Sequence, residues 1–100
     1  MQFQNLGLLA YGYAVSGNKN DALGIVEQLK SAAETDDDAL IRIAQAFVGI
    51  DDKERAFEWL ERAYQRRTTY IRNLKSDFIY APLRSDPRFK DLLRRIGLPP

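Results

Sequence analysis

The sequence predicts an all-α fold, two consecutive helical hairpins closed by a fifth helix. Three observations carry this expectation. Apolar residues recur at spacings of three and four with no sustained alternation of period two. Residues that start and stop helices fall between the apolar stripes. The pattern of small and large residues in the first hairpin then returns 34 residues later.

The first helix is expected over 3–16, with Leu6, Leu9 and Tyr13 on one stripe and Gly17 as a left-handed stop. The second runs over 19–33 on Ala22, Val26 and Leu29, with Asn18 and Asp21 as its capping pair. Thr35 and Asp36–Asp38 open the third, over 36–49, whose stripe is Leu40, Ile43 and Phe47. Its acids suit the positive end of the helix dipole. Asp51 and Glu54 form a capping box for the fourth, over 52–67, built on Ala56, Leu60 and Ala63/Tyr64. Ser85-Asp86-Pro87 starts the fifth, over 86–96, which buries Phe89, Leu92, Leu93 and Ile96. Arg94 and Arg95 fill its last turn, and Gly97 stops it before Pro99. Residues 68–84 are the least readable; Leu74–Phe78 could begin a degenerate third repeat, but the small residues do not return there in register.

A shift of 34 residues places Leu6 on Leu40, Leu9 on Ile43, Ala10 on Ala44, Tyr13 on Phe47, Lys19 on Lys53, Ala22 on Ala56, Leu23 on Phe57 and Val26 on Leu60. The logic is steric: alanines sit where two helices cross closely, and large side chains fill the space beside the crossing. With this period the chain resembles the tetratricopeptide repeat (TPR) family over roughly residues 3–67. The stretch from Asp52 to Tyr64 is typical of that family's second helix. The tail from Pro82 to Leu98 is similar to the closing segment of bacterial repeat arrays, so the resemblance implies the C-terminal repeats of a bacterial TPR-containing protein. Leu6 and Leu40 stand where the family often has Trp, and Glu34 and Thr68 replace its closing Pro. The implied fold is a TPR-like α-α superhelix of two helix-turn-helix repeats with a C-terminal capping helix. Its one domain divides into repeat one at about 3–36, repeat two at about 37–70, and linker and cap at about 71–100.

The resemblance also implies an interaction scaffold. In this family the first helix of each repeat lines a concave groove, which maps onto Gln4, Gly7, Tyr11 and Ala14 and onto Asp38, Ile41, Gln45 and Val48. Tyr11, Ile41, Arg42, Gln45 and Val48 are the candidate binding residues, suited to an extended or helical peptide with one or two large side chains. The family's carboxylate clamp for chaperone tails lacks its first half here, since Gly7, Leu8 and Tyr11 hold those places; Arg42 could still meet one acidic group. Burial of Tyr11 and Ile41 against each other or a neighbouring helix is the competing reading.

Other chemistry is thin. The chain has no Cys and no His, and its Ser and Thr residues lie at caps and loops without a companion base, so no enzyme activity, cofactor or metal site is expected. Asp36-Asp37-Asp38 reads as helix-start acids, because consecutive carboxylates on a helix point apart. No secretory leader or 18-residue apolar run is present, which points to a cytoplasmic protein with no membrane partner. Residues 1–50 carry net charge −3 and residues 51–100 net +4. The basic half mixes Arg66, Arg67, Arg72 and Lys75 with Tyr64, Tyr70, Phe78 and Tyr80, yet Asp77 and Glu61 dilute it, so nucleic acid is not the expected partner. Trp59 should pack against the segment 74–96. The first helix exposes Phe3, Leu6, Leu8 and Leu9 with no polar cap before it, which makes a homodimer or an intramolecular docking face the alternative function.

Overall fold

The computed structural model describes residues 2–66 and 78–97, without the side chains of residues 2–8, 37, 38 and 78. These residues form α1 (Gln2–Val15), α2 (Lys19–Ala33), α3 (Asp37–Ile50), α4 (Lys53–Gln65), a 3-10 helix (Phe78–Leu83) and α5 (Pro87–Ile96). No strand occurs among them. Leu74–Asp77, where a short helix was expected to begin, lie outside the described residues.

The 34-residue recurrence is written into the backbone. Gly17 (φ 91°) and Asp51 (φ 69°) both take the left-handed conformation that ends a helix. After the first helix, Asn18 N–H donates to the Tyr13 carbonyl at 2.8 Å and Gly17 N–H to Ala14 at 3.3 Å. After the third, Asp52 N–H donates to the Phe47 carbonyl at 3.0 Å and Asp51 N–H to Val48 at 3.0 Å. The same two bonds therefore satisfy the last carbonyls of both helices. Asp51 thus closes α3, whereas the capping-box reading had it opening α4. Asp52 is the N-cap instead, its carboxylate accepting from Arg55 N–H at 3.1 Å. Asn18 holds the corresponding place before α2 but makes no side-chain cap bond; its amide donates to Ser16 Oγ at 3.2 Å.

The recurrence extends further than the side chains revealed. Helices α2, α4 and α5 start at Lys19, Lys53 and Pro87, each 34 residues after the last. The 3-10 helix packs on α3, and α5 packs on α4. Pro82 lies inside the 3-10 helix, where its missing N–H and fixed φ oppose a full α-helix. Asp86 caps α5 by accepting from Arg88 N–H at 2.9 Å, and Gly97 (φ 96°) stops it.

Packing is organised around α3, against which α1, α2, α4 and the 3-10 helix all lie. Every residue from Ala39 to Val48 except Arg42 is buried, and a helix apolar on nearly all sides belongs in a core. Ala10, Ala22, Ala44 and Ala56, the four predicted crossing points, have no solvent exposure. Leu9 departs from expectation. It is 49 % exposed while Ile43, its equivalent, is fully buried, because α1 and α2 lie against α3 but no described helix covers the corresponding side of α1.

Close approach of α1 to α3 is set at Gly49, where an added Cβ would come within 2.8 Å of the Ala14 Cβ and 3.2 Å of the Tyr11 ring. A Cβ on Gly12 would meet nothing within 4 Å. The same substitution should therefore have opposite signs at the two sites. Gly12→Ala should stabilise by about 0.5–1 kcal/mol through helix propensity. Gly49→Ala should destabilise by about 1–3 kcal/mol by forcing the helices apart. Urea unfolding of the two variants checks this, and a stabilised Gly49→Ala protein contradicts the crossing.

Candidate functional site

The predicted binding strip is largely closed. Ile41, Gln45 and Val48 are 3 %, 5 % and 5 % exposed, and only Tyr11 and Arg42 remain half-buried. The three buried residues share one stripe of α3, and the 3-10 helix lies on that helix. Gln45 Nε2 donates to the Tyr80 hydroxyl at 3.2 Å, while Gln45 Oε1 accepts from Arg42 Nη1 at 3.4 Å. Tyr80 is itself 1 % exposed. Tyr11 contributes its ring edge to the α1–α3 crossing at Gly49. The chain's own segment 78–83 takes the place assigned to a ligand on this part of α3, and Ala14 is buried as well. The side chains of Gln4, Gly7 and Asp38, the rest of the predicted groove, lie outside the described residues, as do those of Phe3, Leu6 and Leu8.

An open site lies elsewhere. Between the C-terminal half of α2 and the length of α4 runs a cleft of about 790 Å³. Its floor is Ala33, Leu40, Phe47 and Trp59, all buried, and its walls carry Lys30, Arg55, Arg62 and Arg66 with Glu34 and Glu58. Arg55, Trp59, Arg62 and Arg66 follow one another at intervals of four, three and four, which places them on one face of the helix. The Arg62 guanidinium stacks 4.3 Å from the Trp59 ring centroid, and Arg55 lies 5.9 Å from that of Phe47. Arg66 Nη1 donates to the Ala33 carbonyl at 2.9 Å and to the Glu34 carbonyl at 3.5 Å, putting a cation at the negative end of α2. No family model, curated protein or solved structure matches this chain.

A smaller cleft of about 410 Å³ separates α4 from α5, lined by Phe57, Glu58, Glu61, Pro87, Arg88 and Asp91 with Arg95. Here the arginines act as fasteners. Arg88 lies 4.5 Å over the Phe57 ring and pairs with Glu54 at 2.8 Å and Asp86 at 2.9 Å. Arg95 lies 5.2 Å over the Tyr64 ring, pairs with Glu61, and reaches Asp91 at 2.9 Å. The Arg88 side chain, and then its backbone N–H, hold the Asp86 carboxyl down at about 2. Both guanidiniums therefore tie α5 to α4.

Trp59 was expected to pack beneath residues 74–96. It is 8 % exposed, with Arg62 stacked on it, and it lines the α2–α4 cleft. Of the mixed basic and aromatic group, Arg67, Tyr70, Arg72 and Lys75 lie outside the described residues. Tyr64 is half-buried, its hydroxyl donating to the Arg95 carbonyl at 3.4 Å. Among the described residues, no helix is long and apolar enough to cross a membrane.

The cleft was missed in the sequence because its lining comes from three helices. One signal was present: the stripe Arg55, Trp59, Arg62, Arg66 breaks the usual habit of an exposed face by setting a large aromatic among cations.

Proposed function

We propose that this chain is a tetratricopeptide-type module that catalyses no reaction and binds a protein or peptide partner in the cleft between α2 and α4. The supporting observation for the module is the repeated turn. Left-handed residues at 17 and 51, the same carbonyl bonds before them, and helix starts at 19, 53 and 87 describe one supersecondary unit used again and again. The cleft supports the site, since it combines an apolar floor with charged walls. In the expected concave strip Ile41, Gln45 and Val48 are buried and Gln45 is bonded to Tyr80, so Tyr11 and Arg42 are its more accessible members.

The test is selection of peptides from a random library on the immobilised chain, followed by titration of synthetic winners. Saturable one-to-one binding that weakens on substitution of Arg55 or Arg62 supports the reading. A library that yields no saturable binder removes it.

A second reading has its own observation. The sequence Gln2–Val15 contains no charged residue, and Leu9 and Val15 of that helix are 49 % and 58 % exposed. Here α1 docks on a second copy or on a neighbouring domain, and the cleft is idle. Sedimentation velocity across a concentration series separates the two: a dimer abolished by Leu9→Lys supports docking through α1, and a monomer throughout excludes self-association.

A further inference from the structure

We propose that the α2–α4 cleft recognises an extended acidic peptide segment in which carboxylates flank one apolar side chain. This deepens the binding reading above and rests on it. The face formed by Arg55, Trp59, Arg62 and Arg66 runs between positions eleven steps apart, a rise of about 16 Å. An extended peptide covers that distance in about five residues. Alternate residues of such a strand point the same way, so a carboxylate, an apolar side chain and a second carboxylate at positions one, three and five all face the helix. The order of chemistry on α4 is the complement: cation, aromatic floor, cations.

Charge supports an anionic ligand. Four cations line the cleft against two carboxylates. Three of the cations are engaged in ion pairs within their own helix or its cap, Lys30–Glu27 at 2.9 Å, Arg62–Glu58 at 3.0 Å and Arg55–Asp52 at 3.7 Å. Such exposed pairs contribute little to stability, so a ligand carboxylate can replace the intrachain partner at little cost. Arginine suits this exchange, since its fork can hold a carboxylate in two bonds while its face stays on an aromatic ring. Arg62, stacked on Trp59, is already oriented in that way.

The two wall carboxylates choose between classes of polyanion. Glu34 and Glu58 lie among the cations and repel a chain carrying one charge at every unit, as a nucleic acid does. A peptide with spaced carboxylates can avoid them. The apolar floor adds a place for one buried side chain, which a phosphate backbone does not supply.

Trp59 is the only tryptophan, so its emission reports on the cleft directly in the full chain. The probe is the capped pentapeptide Glu-Ser-Leu-Ser-Glu, with Lys-Ser-Leu-Ser-Lys and an oligothymidylate as comparisons. The expected result is a saturable change in Trp59 emission with the acidic peptide, at least about tenfold stronger binding than the lysine peptide, and weakening as salt rises. Arg55→Glu should abolish the response. Arg55→Gln, which removes the charge and keeps most of the stem, should reduce it while circular dichroism remains that of the parent. The proposal is overturned by no saturation at millimolar peptide, by equal binding of the lysine peptide, or by an oligothymidylate response that exceeds the peptide's. It is also overturned if library winners bind the cleft without acidic residues, an outcome that leaves the binding module itself standing.

Discussion

Replacing Tyr80 with alanine should destabilise the chain by about 3–5 kcal/mol, the cost of emptying a fully buried aromatic site. Tyr80 is 1 % exposed and belongs to the same apolar cluster as Ile41, Phe47 and Leu83. Its hydroxyl also accepts the hydrogen bond from Gln45 Nε2, deep in the side of α3 that the sequence offered as a groove. Tyr80→Phe separates these contributions. It keeps the ring and removes the acceptor, leaving a buried amide N–H short of a partner, and should cost about 1–3 kcal/mol. Urea unfolding monitored by circular dichroism measures both. If Tyr80→Ala unfolds within about 0.5 kcal/mol of the parent, as exposed substitutions do, the 3-10 helix does not seal α3 and the concave strip is open after all.

The second large effect uses the repeat as its own control. Ile43→Ala should cost about 2–5 kcal/mol, whereas Leu9→Ala, at the equivalent place one repeat earlier, should cost less than about 1 kcal/mol. The two side chains are alike in size and lie in the same register of their helices. They differ in cover: Ile43 is fully buried, and Leu9 is 49 % exposed. The difference in cost between the two variants is thus a direct reading of what a neighbouring hairpin contributes to each unit. Equal costs in denaturant unfolding would mean that α1 is covered in solution, and would favour association through that face.

Much of the fold was legible because its rules are local. Helix ends at Gly17 and Gly97 announce themselves through the left-handed conformation, and the alanines at 10, 22, 44 and 56 mark crossings by their size. Asp51 was misread for an instructive reason. Two aspartates stand side by side, either chemically fit to cap α4, and only the backbone tells that the first ends α3 while the second begins α4. The start of α5 in the same period was hidden because Phe78 and Pro82 stand where the pattern has small and β-branched residues, so the period continues there only in the helix start.

The site was far less legible. An amphipathic reading assigns one face of a helix to the core and the other to solvent. Helix α3 breaks that assumption: its stretch from Ala39 to Val48 holds only Arg42 and Gln45 as polar residues, and the structure buries it from four directions. That composition could have flagged a central helix. The cleft between α2 and α4 depends on how far apart two helices sit, and spacing across three elements has no signature in a linear sequence.

Engagement of a partner between α2 and α4 can be mapped by amide chemical shifts of the labelled chain during titration with a library-selected peptide. The largest shifts are expected on residues 30–34 and 55–66, with Trp59 among them, while α1 stays silent. Shifts confined to α1 around Leu9 and Val15, or centred on Tyr11 and Arg42 with the cleft unmoved, would contradict it.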